Sequence, residues 1–287
     1  MTRSCGWRKL IPEFLKPILR TPINLSLDLI DTLLGNKDHM TPPRSMSFDI
    51  GGNFKKAGEE FKGYFIELGG LQPDDRVLDV GCGVGRMAIP LTDYLSSNGE
   101  YWGFDIVKKG IEWSQDRIST QFNNFNFTHS NVYNQYYNRL GTVQAKDYQF
   151  PYDDGFFDFI FLTSVFTHMR PLDIDNYLGE TSRVLKTGGR CLITFFVLND
   201  EAKELVHLGR SSFDFSHEMD GFIAADKTNP ERAIAYSEES VEQLFEKHGL
   251  TIRQPIHYGS WCDRKHSLSY QDIVVAENII RPLGLIK

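Results

Sequence analysis

The 287-residue chain carries only four cysteines, Cys5, Cys82, Cys191 and Cys262, with no C-x-x-C pair and no metal-ligand spacing. A disulfide framework and a zinc motif are thereby excluded at the level of sequence, no metal is expected, and the thiols read as reduced and the location as cytoplasmic. Positive charge is also short: 31 Lys and Arg stand against 38 Asp and Glu, for a net charge of -7. Without a general basic field, a nucleic-acid partner is not expected. No apolar run approaches a membrane span, and Pro12, Glu13, Lys16 and Pro17 interrupt what would otherwise pass for the apolar part of a signal peptide, so no export is expected. There is no Pro/Ser-rich linker and no repeat, so one domain with decorations is expected rather than two.

What the chain does have is concentrated in Arg76-Val-Leu-Asp-Val-Gly-Cys-Gly-Val-Gly-Arg86 and in Gly103-Phe-Asp105. Val77, Leu78 and Val80 suit a strand buried on both faces, and Gly81, Gly83 and Gly85 let the backbone turn beneath a ligand with no Cβ in the way. Asp105 closes a second short strand, where a carboxylate can accept both hydroxyls of a ribose. A dinucleotide fingerprint G-x-G-x-x-G would need glycine at position 86, which is Arg86. The pattern is G-x-G-x-G.

An acidic residue followed by G-x-G-x-G resembles the first motif of class I S-adenosylmethionine (SAM) dependent methyltransferases, here Asp79, Gly81, Gly83 and Gly85, with Cys82 inside the loop. Two further segments fall in family order: Phe150-Pro-Tyr-Asp-Asp-Gly-Phe-Phe-Asp158 before a fourth strand, and Arg183-Val-Leu-Lys-Thr-Gly-Gly-Arg190 before a fifth. The resemblance runs from about Leu71 to Ala276. It implies an α/β fold, a doubly wound and mostly parallel seven-stranded sheet, with SAM as cofactor. It implies further that Asp105 and its neighbour Ile106 meet the ribose side, that Asn131 and Val132 contact and stack on the adenine, and that Thr163 lies near the transferring methyl.

The remaining sequence alternates strand and helix, as a doubly wound sheet requires. Strands are expected near 76–80, 101–105, 125–129, 158–163, 190–197, 251–257 and 270–276, with helices near 55–68, 86–96, 108–121, 173–186 and 238–248. Glu100 and Asp116 are read as solvated charges. Residues 1–70 are read as a helical arm or lid ahead of a core at 71–287. Leu10, Ile11, Phe14, Leu15, Ile18 and Leu19 recur at helical spacing among Arg8, Lys9, Lys16 and Arg20, and Thr21-Pro22 can start a second amphipathic piece. Such an arm can pack on the core as a lid, form a homodimer contact, lie on an anionic membrane as an interfacial helix, or stay disordered. Gly52 and Phe54 are candidate pocket residues, whereas Phe61 and Phe65 fit plain core.

Loops that follow strands supply the sites in such sheets. After the fourth strand, Leu162-Thr-Ser-Val-Phe-Thr-His-Met169 carries His168, whose ordinary pKa of about 6.5 suits a general base or, equally, a structural hydrogen bond. An insert at about 198–236 carries Phe213, Phe215, His217, Glu218, Met219 and Phe222. Its length suits a lid or binding element, and His217, with Glu218, is the second candidate for acid/base work. His257-Tyr-Gly-Ser-Trp261 adds aromatic and hydroxyl groups suited to a ring or a sugar. No Asp/Asn-Pro-Pro-Tyr tetrapeptide follows the fourth strand, which leans toward methylation of a hydroxyl on a small molecule or glycan; a protein or RNA nitrogen, or SAM binding without turnover, are the alternatives.

Overall fold

The computed structural model describes residues 53–279, together with residue 26, residues 39–44 and residue 46. The expected amphipathic arm and Gly52 lie outside the described residues. A helix, α1 (Phe54–Glu67), leads into a seven-stranded sheet. Its strands are β1 (Arg76–Val80), β2 (Glu100–Asp105), β3 (Phe125–His129), β4 (Phe157–Leu162), β5 (Leu185–Phe195), β10 (Leu250–Ile252) and β11 (Asp272–Asn278). Their spatial order is β10-β11-β5-β4-β1-β2-β3, parallel except for β11, which runs antiparallel to both neighbours. The strand order reverses between β1 and β4, and such switch points open a crevice at the carboxyl ends of the strands.

Three helix starts have a local cause. Asn53 Oδ1 accepts the Lys56 N–H to open α1, and Ser237 Oγ accepts the Ser240 N–H to open α6 (Glu238–Lys247). Pro171 occupies the first position of α4 (Pro171–Val184), where a missing N–H costs nothing. Successive residues of the central strands alternate between two apolar layers. Leu78, Ile160, Ile193 and Val274 face α4 and α6, while Val77, Phe161, Leu192 and Ile273 face α1, α2 (Ala88–Leu91) and α3 (Lys108–Ser114). Both layers are aromatic-rich: Phe65 stacks on Phe161 at 4.1 Å and Tyr101 on Phe125 at 5.0 Å between ring centroids.

The fold class agrees with the sequence reading, and several boundaries do not. The helix expected over 86–96 shrinks to Ala88–Leu91, because Pro90 has no N–H to donate and Thr92 closes the end with a tight bond to Ile89 O. The strand expected to start at 190 begins at Leu185 and absorbs Gly188 and Gly189 at an irregular register opposite Phe157 and Phe159. The sixth strand stops at Ile252 rather than 257, ahead of Pro255, which cannot donate to a ladder; His257 rejoins only as a single bridge to Ile273. Glu100 is not a solvated charge: it accepts from Trp102 Nε1 and pairs with Arg76 at 3.3 Å.

Residues 197–237 build a second, four-stranded sheet, β6 (Val197–Leu198), β9 (Ile234–Ser237), β8 (Ile223–Ala224) and β7 (His217–Glu218) in spatial order, with helix α5 (Asp200–His207). Under it lies a third apolar cluster of Phe196, Leu198, Leu205, Phe215, Ala235 and Trp261. Among the described residues no helix is long and apolar enough to cross a membrane.

Candidate functional site

The loop after β1 is set by glycine. Gly81 has φ +84°, and a Cβ there would lie 2.6 Å from Val165 Cγ2, so the backbone passes directly against the loop that follows β4. Gly83 has φ +55°, and the space its Cβ would fill is open. That is the shape of a cradle: a left-handed turn that a side chain would strain, with room above it.

Beneath the cradle Asp79 is buried, and its Oδ2 accepts the Tyr101 hydroxyl at 2.6 Å. Its Oδ1 is buried with no hydrogen-bond partner. Burial, reinforced by the nearby Asp105 and opposed by Tyr101 and Arg86, pushes the Asp79 carboxyl up to about 8. Arg86, next after the loop, is itself held below its ordinary range by burial and supported by Asp79. An orphaned acidic oxygen under an open glycine loop fits a ligand that brings positive charge and N–H donors, which SAM does through its ammonium and sulfonium groups.

Asp105, also buried, ends β2 as expected. Its Oδ2 accepts the Gly83 N–H at 2.8 Å and its Oδ1 the Val107 N–H at 2.7 Å, which ties the glycine loop to the start of α3. Each carboxylate oxygen retains a second lone pair for a ribose hydroxyl. Ile106 is half-buried, and its carbonyl faces His129 Nε2 at 3.2 Å. Cys82 is buried behind the loop, where desolvation drives its thiol well above the ordinary range, so it packs rather than reacts. Asn131 is exposed and donates its amide to Thr142 Oγ1 at 2.8 Å, closing the loop that follows β3, while its neighbour Val132 is buried.

The loop after β4 forms the opposite wall. Thr163 is buried, and Ser164 takes φ +60°, unusual for a residue with a Cβ. Two distant residues hold it there: Ser164 N–H donates to Thr194 Oγ1 at 2.8 Å and its hydroxyl to Gln271 Oε1 at 3.0 Å. A single 3₁₀ turn, Phe166–His168, follows. The His168 ring lies 2.9 Å through Nδ1 from the backbone carbonyl of Glu231, and burial holds its pKa below the ordinary imidazole value. Burial thus favours the neutral ring. A carbonyl can only accept, so Nδ1 carries the hydrogen in its contact with Glu231, and the Arg232 backbone is a second neighbour of the ring.

His217 lies on β7, the edge strand of the small sheet, paired with Ala224 and two strands away from β9, while Glu218 pairs with Ile223. Trp261 departs from expectation. It is fully buried against Phe196 and Phe215, and its Nε1 donates to Asp272 at 2.7 Å, so it is core and offers no face to an acceptor.

Sequence reading missed the group that organises this end of the site. Asp272, fully buried at the start of β11, accepts from Val197 N, Gly259 N, Trp261 Nε1 and Arg264. The Arg264 guanidinium also reaches Glu201 and Asn199 and lies over the Tyr258 ring at 4.8 Å. No local motif announces such a network; an Asp at the head of an apolar strand was its only trace. Tyr101, which holds Asp79, likewise sits in an ordinary strand pattern.

A family model described as a methyltransferase domain matches residues 44–254. Among curated proteins, the ubiquinone/menaquinone biosynthesis C-methyltransferase UbiE of Teredinibacter turnerae is 31% identical over 139 residues, which cover 47% of this chain and 49% of that protein. The sterol 24-C-methyltransferase erg6 of Schizosaccharomyces pombe is 26% identical over 186 residues, 65% of this chain and 43% of that protein. The matches thus span less than half the length of these relatives. Among solved structures, a SAM-dependent methyltransferase from Methanosarcina mazei superposes with TM-score 0.52 at 20% identity, covering 75% of this chain and 97% of its own. The PH0226 protein of Pyrococcus horikoshii gives 0.55 at 19% identity, with 80% and 93% covered. Both share the fold. The family match over most of the chain, on a fold whose glycine loop and two buried aspartates suit this cofactor, places the protein in the class I SAM-dependent methyltransferase family.

Proposed function

We propose that the protein transfers the methyl group of SAM to a hydroxyl oxygen of a small organic acceptor, with His168 removing the hydroxyl proton. The observation that carries this reading is the neutral His168 ring with Nδ1 tied to a carbonyl, on the loop whose Val165 packs against Gly81. When bound, SAM supplies an electrophilic methyl group on a positively charged sulfur. Asp79 would hold its cationic amino-acid end and Asp105 its ribose. Positioning supplies the larger share of the acceleration, up to roughly 7–11 kcal/mol, and a placed base adds about 10²- to 10⁴-fold.

A second reading has a specific support: the curated relatives are named as C-methyltransferases. Removing a proton from a ring hydroxyl also makes the adjacent ring carbon nucleophilic, so the same base serves carbon methylation. Isothermal titration with SAM, followed by transfer assays on phenols, quinols and sugars, tests the proposal. NMR of the product then shows whether the new methyl is bonded to oxygen or carbon. His168→Ala should leave SAM affinity nearly unchanged and lower turnover by about 10²-fold or more. Undiminished turnover removes the base role, and SAM binding with no transfer to any acceptor favours a binding protein.

A further inference from the structure

We infer that the insert is part of the catalytic apparatus: Glu231 and Arg170 form a positioning pair that fixes the hydrogen of His168 on Nδ1 and presents Nε2 to the acceptor. This rests on the reading of His168 as the base. Glu231 is gripped twice by one short loop. Its backbone carbonyl meets His168 Nδ1 at 2.9 Å, and its carboxylate meets Arg170 Nε at 3.2 Å. Arg170 is in turn anchored by α4, since its N–H donates to Asp173 Oδ2 at 3.4 Å and its carbonyl accepts from Asp173 N and Ile174 N. Between the two, the buried Tyr236 of β9 donates its hydroxyl to Met169 O at 2.7 Å.

The turn that presents Glu231 is stiff as well. Pro230 begins it, and Asp226 Oδ1 accepts from Thr228 N and Asn229 N just ahead of it. The loop after β4 is therefore held at three consecutive positions, 168 and 170 by a turn more than sixty residues later and 169 by β9. A ring whose Nδ1 faced a carbonyl without a hydrogen would set two lone pairs against each other, so the contact selects one tautomer. The charged and titratable groups around the ring are Arg170 on its own loop, Asp173 on α4, Glu231 and Arg232 on the turn, and Tyr236 on β9; β5 brings Thr194 and Phe195, which do not titrate. Arg170 is half-exposed, so the ion pair adds little to global stability. Its effect is on where the carbonyl stands, and small misplacements of a reacting group cost rate steeply.

The test needs no acceptor. Full-length protein labelled with ¹⁵N-histidine, with His168→Asn to identify the resonance, reports tautomer and titration by two-bond ¹H–¹⁵N correlation. The parent should show the Nδ1–H tautomer across pH 6–8 and a titration midpoint below the ordinary value. In Glu231→Gln and in Arg170→Gln the ring should populate both tautomers, and in Glu231→Gln the midpoint should fall further, because the carbonyl hydrogen bond that favours the charged ring is loosened. The exchanged pair, Arg170→Glu with Glu231→Arg, should restore the parent spectrum. An Nε2–H tautomer in the parent, or single variants that leave tautomer and midpoint unmoved, overturns the inference. Normal turnover in His168→Ala would instead remove the base reading while leaving the tautomer result standing.

Discussion

The loops after β1 and after β4 face each other across one crevice, Gly81 against Val165, yet they are held in opposite ways. The first is fixed by its own neighbourhood: Gly83 bonds Asp105 and Tyr101 bonds Asp79, each pair 22 residues apart. The second is fixed from far along the chain, with Ser164 reaching Gln271 across 107 residues and His168 reaching Glu231 across 63. The conformation of the loop after β4 depends on the insert and on the segment before β11.

The largest effect should come from the network around Asp272, next to the Gln271 that holds the loop after β4. Asp272→Ala removes the buried partner of Arg264, whose side chain is 3% exposed and keeps only the 60% exposed Glu201 as counter-charge, and should cost about 3–5 kcal/mol in urea denaturation. SAM titration at low temperature should still show the cofactor half binding; loss of binding in a folded variant would break the distinction between the halves.

The cofactor half should reveal itself through pH. With its carboxyl pushed up to about 8, Asp79 is protonated at pH 7, whereas its ordinary value is 3.8. Between those values the unfolded chain loses the proton and the folded one keeps it, so this group lowers the stability of the cofactor-free protein as pH rises from about 4 to 8. A cationic cofactor prefers the ionised form, so SAM affinity should climb from pH 6 to 7.5, by up to about tenfold per unit, with proton release seen as a buffer-dependent heat. Asp79→Asn should flatten that slope. A parent slope already flat would detach Asp79 from the cofactor's charge.

The smallest effect on stability should sharpen the acceptor side. Ser164→Gly relieves a left-handed residue by about 1–2 kcal/mol and gives up one hydroxyl bond of about 0.5–1.5 kcal/mol, so the melting midpoint should barely move. Turnover should nevertheless fall several-fold, because the loop is no longer held to Gln271. A variant with unchanged turnover would reduce that bond to packing.

How much was legible before folding follows the same division. Asp79, the three glycines and Asp105 sit in two short segments whose spacing is itself the motif; in the structure the turn is open at Gly83, while Gly81 packs on Val165 and Gly85 on Ile118. Asn131 and Val132 fall in the expected loop, although the Asn131 amide is spent on Thr142, a partner that only the closed loop brings near. Trp261 read as a ligand-facing aromatic because a residue's burial is not written in its identity; Phe196, Phe215 and Asp272, from three separate segments, bury it. Glu231 and Arg264 carried no signal at all.

The alternating strands, the glycine turn and the acidic strand ends are consequences of local chemistry, since apolar periodicity and backbone freedom act over a handful of residues. The environment of His168, the left-handed Ser164 and the buried Asp272–Arg264 pair are not. Burial, tautomer and charge pairing depend on which remote segments pack together, and that is settled only when the chain has closed on itself.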